Sequence, residues 1–364
     1  MGRVRPFEKP DISQVADLHR RVFRTASKSS PQLERAYDAY FNRLFLNNPG
    51  GYDNLPSLVY EDDNRTITGF LGVVPQPMWL HGRPILAAVS SQFIVEPSRR
   101  STLAALELLK AYLWGPQELS LADEAGESSR KLWKGFGGSA TLLYGIYWIR
   151  ILRPAQAFRS WLAMRPKAAM VAAAARPFCR IMDAIAAPIP RSPAGAVPEV
   201  GGAEDATPEA ILGCLEEFSS GRRLRPAYDH ESLRRILETL EKRKGPGELR
   251  RRVVRDSKHK IIGWYIYHAK HGGLGEVLQL GAEENSHGPV LRHLFLDAWQ
   301  HGVAALSGRL EPEFMDELDK NRCLLHHRGH WMLVHSRNPE ALQAIRSGDA
   351  FLTRLEGEWP LHFQ

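Results

Sequence analysis

Apolar and polar positions alternate with two periods along this chain, and the places where the period changes mark out its elements. Val4–Phe7 can form a first short strand. From Asp11 to Phe23, Ile12, Val15, Leu18 and Val22 recur at three- and four-residue spacing, which puts them on one face of a helix. A second helix is expected over Ser30–Phe45, closed by Asn48-Pro-Gly-Gly51. Ser57–Glu61 and Ile67–Pro75 then read as paired strands, because Asp62-Asp-Asn-Arg65 is turn chemistry between two β-rich runs. His81-Gly-Arg-Pro84 turns the chain into a strand over Ile85–Val95. A turn carrying Pro97, Arg99 and Arg100 follows, then a helix with Leu103, Leu106, Leu109 and Leu113.

Beyond that helix, Glu118–Leu121 is a short strand, and Thr141–Ile151 is expected to close the first sheet. Thr207-Pro208 pairs a cap residue with proline at the first helical position, and Asp229 opens another helix running to about Leu240. Glu248–Arg255, Lys260–Lys270 and Glu276–Gly281 alternate as strands. A helix over Val290–Gly302, a strand over Ala304–Leu310, a helix over Glu313–Leu324 and strands over Trp331–His335 and Ala350–Glu356 complete the chain. The second half thus repeats the first in element order, without a residue-level repeat.

The stretch Ser90–Leu113 carries the most information. Strand, basic turn and helix in succession aim backbone N–H groups and the positive end of a helix dipole beyond the strand, which suits a phosphate. The spacing of Val95, Pro97 and Arg100, with Ala105 at a small position, resembles the Val-x-Pro-x-x-Arg-Gly-x-Gly-x-Gly/Ala signature of the GNAT superfamily, the acyl-CoA-dependent N-acyltransferases. Ser101 and Leu103 stand where that family has glycines. The resemblance implies an α+β fold of two GNAT-like domains, each a mixed, mostly antiparallel central sheet flanked by helices. Expected boundaries are 1–153 for the N-terminal domain, 154–195 for a linker and 196–364 for the C-terminal domain. It also implies acetyl-CoA or another acyl-CoA as co-substrate. The pantetheine arm would lie along Phe93, Ile94 and Val95, and the pyrophosphate against Arg99, Arg100, Ser101, Thr102, Leu103, Ala104 and Ala105. In the second half Ala282–Val290 carries two acids and Gly288, which would repel a pyrophosphate.

The segment 123–138 looks like the family's next element, Asn-x-x-Ala-x-x-x-Tyr-x-x-x-Gly-Phe, whose tyrosine commonly protonates the leaving thiolate. Aligning Gly137 puts Trp133 at that place, and indole is not an acid there. Tyr144 or Tyr147 could supply the proton instead. For a base that deprotonates the amine, Glu61 at a strand end and Glu96 just past the loop's strand are candidates.

Length and charge set the outer limits. A chain of 364 residues suits two domains, and a net charge of +7 favours anionic partners such as CoA phosphates. Residues 150–191 set Arg150, Arg153, Arg159, Arg165, Lys167, Arg176, Arg180 and Arg191 against Asp183 alone. Five prolines cut this alanine-rich segment into short helices, read as an interdomain linker, with a role on an anionic membrane surface as the lesser alternative. Cys179, Cys214 and Cys323 are scattered, and Met1–Phe7 has no apolar leader core, so a reducing cytoplasm is expected. Cys323, His326, His327 and His330 have a zinc-like spacing interrupted by Gly329, and no metal is expected there. No nucleotide-binding Gly-x-x-x-x-Gly-Lys loop, Gly-x-Ser-x-Gly elbow or nucleic-acid module is present. The reading that follows is acyl transfer from CoA to a small-molecule or peptide amine. Its alternative is a GNAT-like protein that binds without catalysing.

Overall fold

The computed structural model describes residues 2–23, 30–46, 52, 54–96, 102–163, 201–243 and 245–363. Strand β1 (Arg3–Pro6) leads through a short 3-10 turn into helix α1 (Ile12–Phe23), and α2 (Pro31–Phe41) follows with Ser30 as its cap. Strands β2 (Leu58–Glu61), β3 (Ile67–Leu80) and β4 (Arg83–Val95) form a meander. Helix α3 (Thr102–Leu113) crosses over to β5 (Leu119–Ala125), which lies parallel to β4. Helix α4 (Glu127–Gly135), β6 (Ser139–Thr141), β7 (Ile146–Ile151) and α5 (Pro154–Ala163) complete the first half. The remainder of the expected linker lies outside the described residues.

In the second half β8 (Ala203–Asp205) precedes α6 (Pro208–Phe218), and the short β9 (Leu224–Pro226) precedes α7 (His230–Glu241). Thr207 and Asp229 cap the two helices as expected: Thr207 accepts from the Ala210 N–H, and Asp229 exchanges bonds with Ser232. The antiparallel meander β10 (Glu248–Arg255), β11 (Ile261–Ala269) and β12 (Leu274–Ala282) is followed by α8 (His287–Gln300) and by β13 (Ala305–Arg309), parallel to β12. Helix α9 (Met315–Lys320), β14 (Leu324–His327), β15 (Trp331–Ser336) and α10 (Pro339–Arg346) end the regular structure.

Both halves build a mixed, mostly antiparallel sheet flanked by helices, as the element order implied. Three local expectations are corrected. Thr141–Ile151 is two strands around a 3-10 turn, because Gly145 breaks the run. The helix expected over Glu313–Leu324 ends at Lys320, where Arg322 takes a left-handed φ of 55° and releases the chain into β14. Ala350–Glu356 is buried but irregular, with one bridge from Ala350 to Leu224 and, beyond it, polar groups met by side chains, and the helix α10 before it carries an Asn-Pro start signal at Asn338-Pro339.

Strand exchange joins the halves. The first sheet runs β1-β2-β3-β4-β5-β15-β6, with β9 beside β3, and the second runs β14-β7-β13-β12-β11-β10-β8. Thus β15 from the second half sits between β5 and β6, while β7 from the first half sits between β13 and β14. The strands are short and mostly apolar, with Leu333 and Val334 packed into separate cores on the two faces of the first sheet and Trp148 into a core of the second. Buried on both faces, each fits wherever a sheet edge is offered.

Candidate functional site

The parallel ladder between β4 and β5 is short, pairing Ala87 with Leu119 and ending at Ser90 with Ala122. Past that point both strands bulge away from their outer neighbours. Gln92 and Phe93 together oppose Leu71, and Asp123 and Glu124 together oppose Met332. Gln92 and Glu124 take left-handed φ values of 55° and 52°, so two bulges at one level pry the strands apart. The gap opens into a cavity of about 460 Å³ lined by His19 and Phe23 of α1, Gln92 and Phe93 of β4, and Glu124 of β5. Trp133 of α4 and the carboxy-terminal residues Glu358, His362 and Phe363 close it.

Each wall has a cause. The Gln92 N–H, turned out of the ladder by the bulge, donates to Glu358 Oε1 at 3.1 Å. With His19 Nε2 donating to Gln92 Oε1 at 2.9 Å, the neutral ring takes the Tyr37 hydroxyl at Nδ1, 3.0 Å away. That ring is therefore fixed at both nitrogens and holds the Gln92 side chain. The tail reaches the cavity because Phe363 stacks on Tyr37 with centroids 4.1 Å apart, while the Tyr40 hydroxyl donates to the Leu361 carbonyl at 2.6 Å. Among the described residues no cation pairs with Glu358. It keeps some exposed surface, yet it sits deep enough that burial, with Asp123 and Glu124 close by, pushes its carboxyl up to about 8.

Charges behind the cavity come from both halves. Buried Asp123 binds Arg309 of β13; burial alone would raise its carboxyl, but Arg309 outweighs it and holds the group below the usual range. Arg354 reaches Glu124 at 3.3 Å and Glu276 of β12 at 3.4 Å. The equivalent gap in the second sheet, past Glu276 and Ser307, is filled. Glu356 occupies it, accepting from Gln279 and Tyr228 at 3.0 and 2.9 Å and from the Thr353 N–H at 2.7 Å.

Superposition on solved structures gives the same architecture. A probable N-acyltransferase of unknown function from Enterococcus faecalis V583 matches with a TM-score of 0.59 at 12% identity, covering 92% of this chain and 73% of that one. A GCN5-related N-acetyltransferase from Anabaena variabilis matches with 0.58 at 12%, covering 94% and 75%. N-myristoyltransferase from Saccharomyces cerevisiae with bound myristoyl-CoA matches with 0.50 at 11%, covering 93% and 81%. The chain has the GNAT fold. No protein-family model and no curated protein sequence matches it.

Within the GNAT fold, the residues singled out from sequence fall in several places. Phe93 lines the cavity, and beyond Ser90 the β5-facing edge of β4, including Ile94 and Val95, has no strand partner among the described residues. Arg99, Arg100 and Ser101 lie outside the described residues. Thr102, Leu103, Ala104 and Ala105 form the first turn of α3, with Leu103 exposed and turned away from the cavity lining and Ala104 buried. Glu61 pairs with Arg3 and Arg5 at the sheet's outer edge, and the Arg5 bond holds its carboxyl low. Glu96 pairs with Arg21 at 2.6 Å. The buried Tyr144 phenol donates to the Ala350 carbonyl at 2.7 Å, and burial raises it. None of these three lines the cavity.

His19, Gln92, Glu124, Glu358 and His362 were missed. Gln92, together with Ser90 and Ser91, interrupts an otherwise apolar strand, and that polar run was the available signal. Glu358 and His362 had none, since they arrive from about 270 positions away in sequence. Among the described residues no group of three or more His, Cys, Asp or Glu is placed to hold a metal. His326 and His327 lie on β14, where alternate residues face opposite ways. Cys214 and Cys323 are free, and burial pushes both thiols up to about 12. No helix among the described residues is long and apolar enough to cross a membrane.

Proposed function

We propose that the protein transfers an acyl group from an acyl-CoA thioester to an amine, with the thioester carbonyl at the mouth of the β4–β5 cleft. One observation carries this: a backbone N–H at Gln92 is turned toward the gap between two parallel strands, where it can polarise a carbonyl. The pantetheine arm would take the open edge of β4 near Phe93, Ile94 and Val95. Arg99, Arg100 and Ser101, with the first turn of α3, would take the pyrophosphate. The acceptor amine would enter from the side of Glu124, Glu358 and His362. Tyr144 is engaged elsewhere in its hydrogen bond to Ala350, so the leaving thiolate takes its proton from solvent in this reading. Cytoplasmic acetyl-CoA is the simplest donor to try.

Isothermal titration with acetyl-CoA and longer acyl-CoAs tests the reading. Saturable heat at micromolar ligand is expected, and its absence at high micromolar concentration for every donor would overturn it. A second reading, binding without chemistry, is favoured by Trp133, a buried indole at the position that the motif alignment gives to the family's acid. Acyl-CoA binding with no thiol release toward any amine would select it.

A further inference from the structure

The segment Phe351–Phe363 is fastened on both sides of the cleft. On one side Arg309 donates to the Thr353 carbonyl, Glu356 gathers Thr353, Gln279 and Tyr228, and Arg243 donates to the Trp359 carbonyl at 2.8 Å. On the other, Leu361 and Phe363 are held by Tyr40 and Tyr37. Gly357 lies against Asp123 so closely that a Cβ there would come within 2.0 Å of the carboxylate. A backbone pinned at that many points is a permanent wall of the cavity. The Glu358 side chain points from that wall to the Gln92 N–H, from which it accepts at 3.1 Å.

Three of the other acid–base groups around the cavity are committed, and His362 lies beside Glu358 on the same segment. Asp123 is locked to Arg309, Glu124 meets Arg354, and both nitrogens of His19 are engaged. Resting on the reading of the cleft as an acyl-CoA site, we infer that Glu358 is its general base, taking the proton from the acceptor nitrogen as that nitrogen closes on the thioester carbon. When the thioester carbonyl takes the Gln92 N–H, the Glu358 carboxylate is displaced toward the cavity, where the amine arrives. The C–N bond forms, the C–S bond breaks with its electron pair leaving on sulfur, and the proton held by Glu358 returns to the thiolate through solvent. Atoms and charge balance as amine plus thioester giving amide plus thiol.

The groups facing Glu358 set when it can work. Asp123 and Glu124 from β5, Tyr40 from α2, His19 from α1 and His362 on its own segment surround it, and the two carboxylates disfavour its ionisation. Since only the carboxylate is a base, turnover rises with pH through about 8 and levels above it.

The test uses the full chain, octanoyl-CoA as donor and methoxyamine as an acceptor uncharged from pH 6 to 9, with thiol release as readout. Glu358→Gln is expected to lower kcat about 10²-fold or more and to abolish the rise near pH 8. Its octanoyl-CoA affinity, from titration, should stay within about threefold of the parent. A variant that keeps kcat and the pH limb overturns the assignment, as does a parent that binds octanoyl-CoA yet releases no thiol with this amine. Failure of the parent to bind any acyl-CoA is a different result and removes the underlying reading. If Glu358→Gln does not fold, Glu358→Asp decides: a reduced kcat with the pH limb retained supports the base, and an unchanged kcat overturns it.

Discussion

Two residues of the carboxy-terminal segment carry sharp consequences. At Gly357 the missing side chain is a packing requirement, because the Asp123 carboxylate it touches is buried and tied to Arg309. Gly357→Ala must move either the segment or the ion pair, so we expect a loss of about 2–4 kcal/mol in urea unfolding, the scale of overpacking beside a buried charge. At Glu358 the folded state holds its proton up to about 8, whereas an unfolded carboxyl releases it near 4.5. Between those values the native state binds more protons, so this group's contribution to stability is full below the lower value and is lost as pH rises through the upper one. After allowing for the part of the side chain that stays exposed, the loss is about 2–4 kcal/mol. Glu358→Gln should therefore flatten the decline in unfolding free energy between pH 5 and 8 and be the more stable protein at pH 8. A parent whose stability shows no such decline would mean the carboxyl ionises normally.

At the scale of elements, most of the fold was legible because most elements are local. The meanders, the helix caps at Thr207 and Asp229 and the strand-turn-helix at Ser90–Leu113 all follow from period, turn chemistry and capping. Sheet membership was not legible, since β7 and β15 carry apolar residues on both faces and such a run names no partner. The same limit hid the site: the bulge at Gln92 left a polar trace within its strand, but the acid it binds comes from an irregular segment without periodicity. Trp148 tests the exchange. It is fully buried in β7, its ring 6.0 Å from Phe295, its N–H on the Arg309 carbonyl at 3.0 Å, and Gly308 leaves the space it fills. Trp148→Ala should cost about 3–5 kcal/mol. Hydrogen exchange should show the lost protection in β13 and β14, which belong to the second half; loss confined to β5 and β6 would contradict the topology.

Across the whole molecule the exchanged strands make the two halves interdependent. Cutting the chain between residues 163 and 201 breaks no described strand or helix, yet it orphans five elements. A fragment of 1–163 loses β15, leaving β6 without its neighbour and β7 without a sheet; a fragment of 201–364 loses β7 and β3, leaving β14 and β9 without their neighbours and β15 without a sheet. Asp123 would also lose Arg309, and a buried carboxylate stripped of its partner costs about 3–5 kcal/mol, a large part of a domain's net stability. Neither fragment should therefore unfold cooperatively alone, and each should expose strand edges that aggregate. Mixed at equal concentration and refolded together, they should recover the parent's circular dichroism and a single thermal transition. The transition should lie lower and depend on concentration, because the cut replaces an effective concentration on the order of millimolar with the bulk value. Only the reassembled pair should contain the β4–β5 cleft closed by Glu358, so acyl-CoA binding should return with the thermal transition and not before it. A cooperative transition in fragment 1–163 by itself would show that its sheet does not depend on β15.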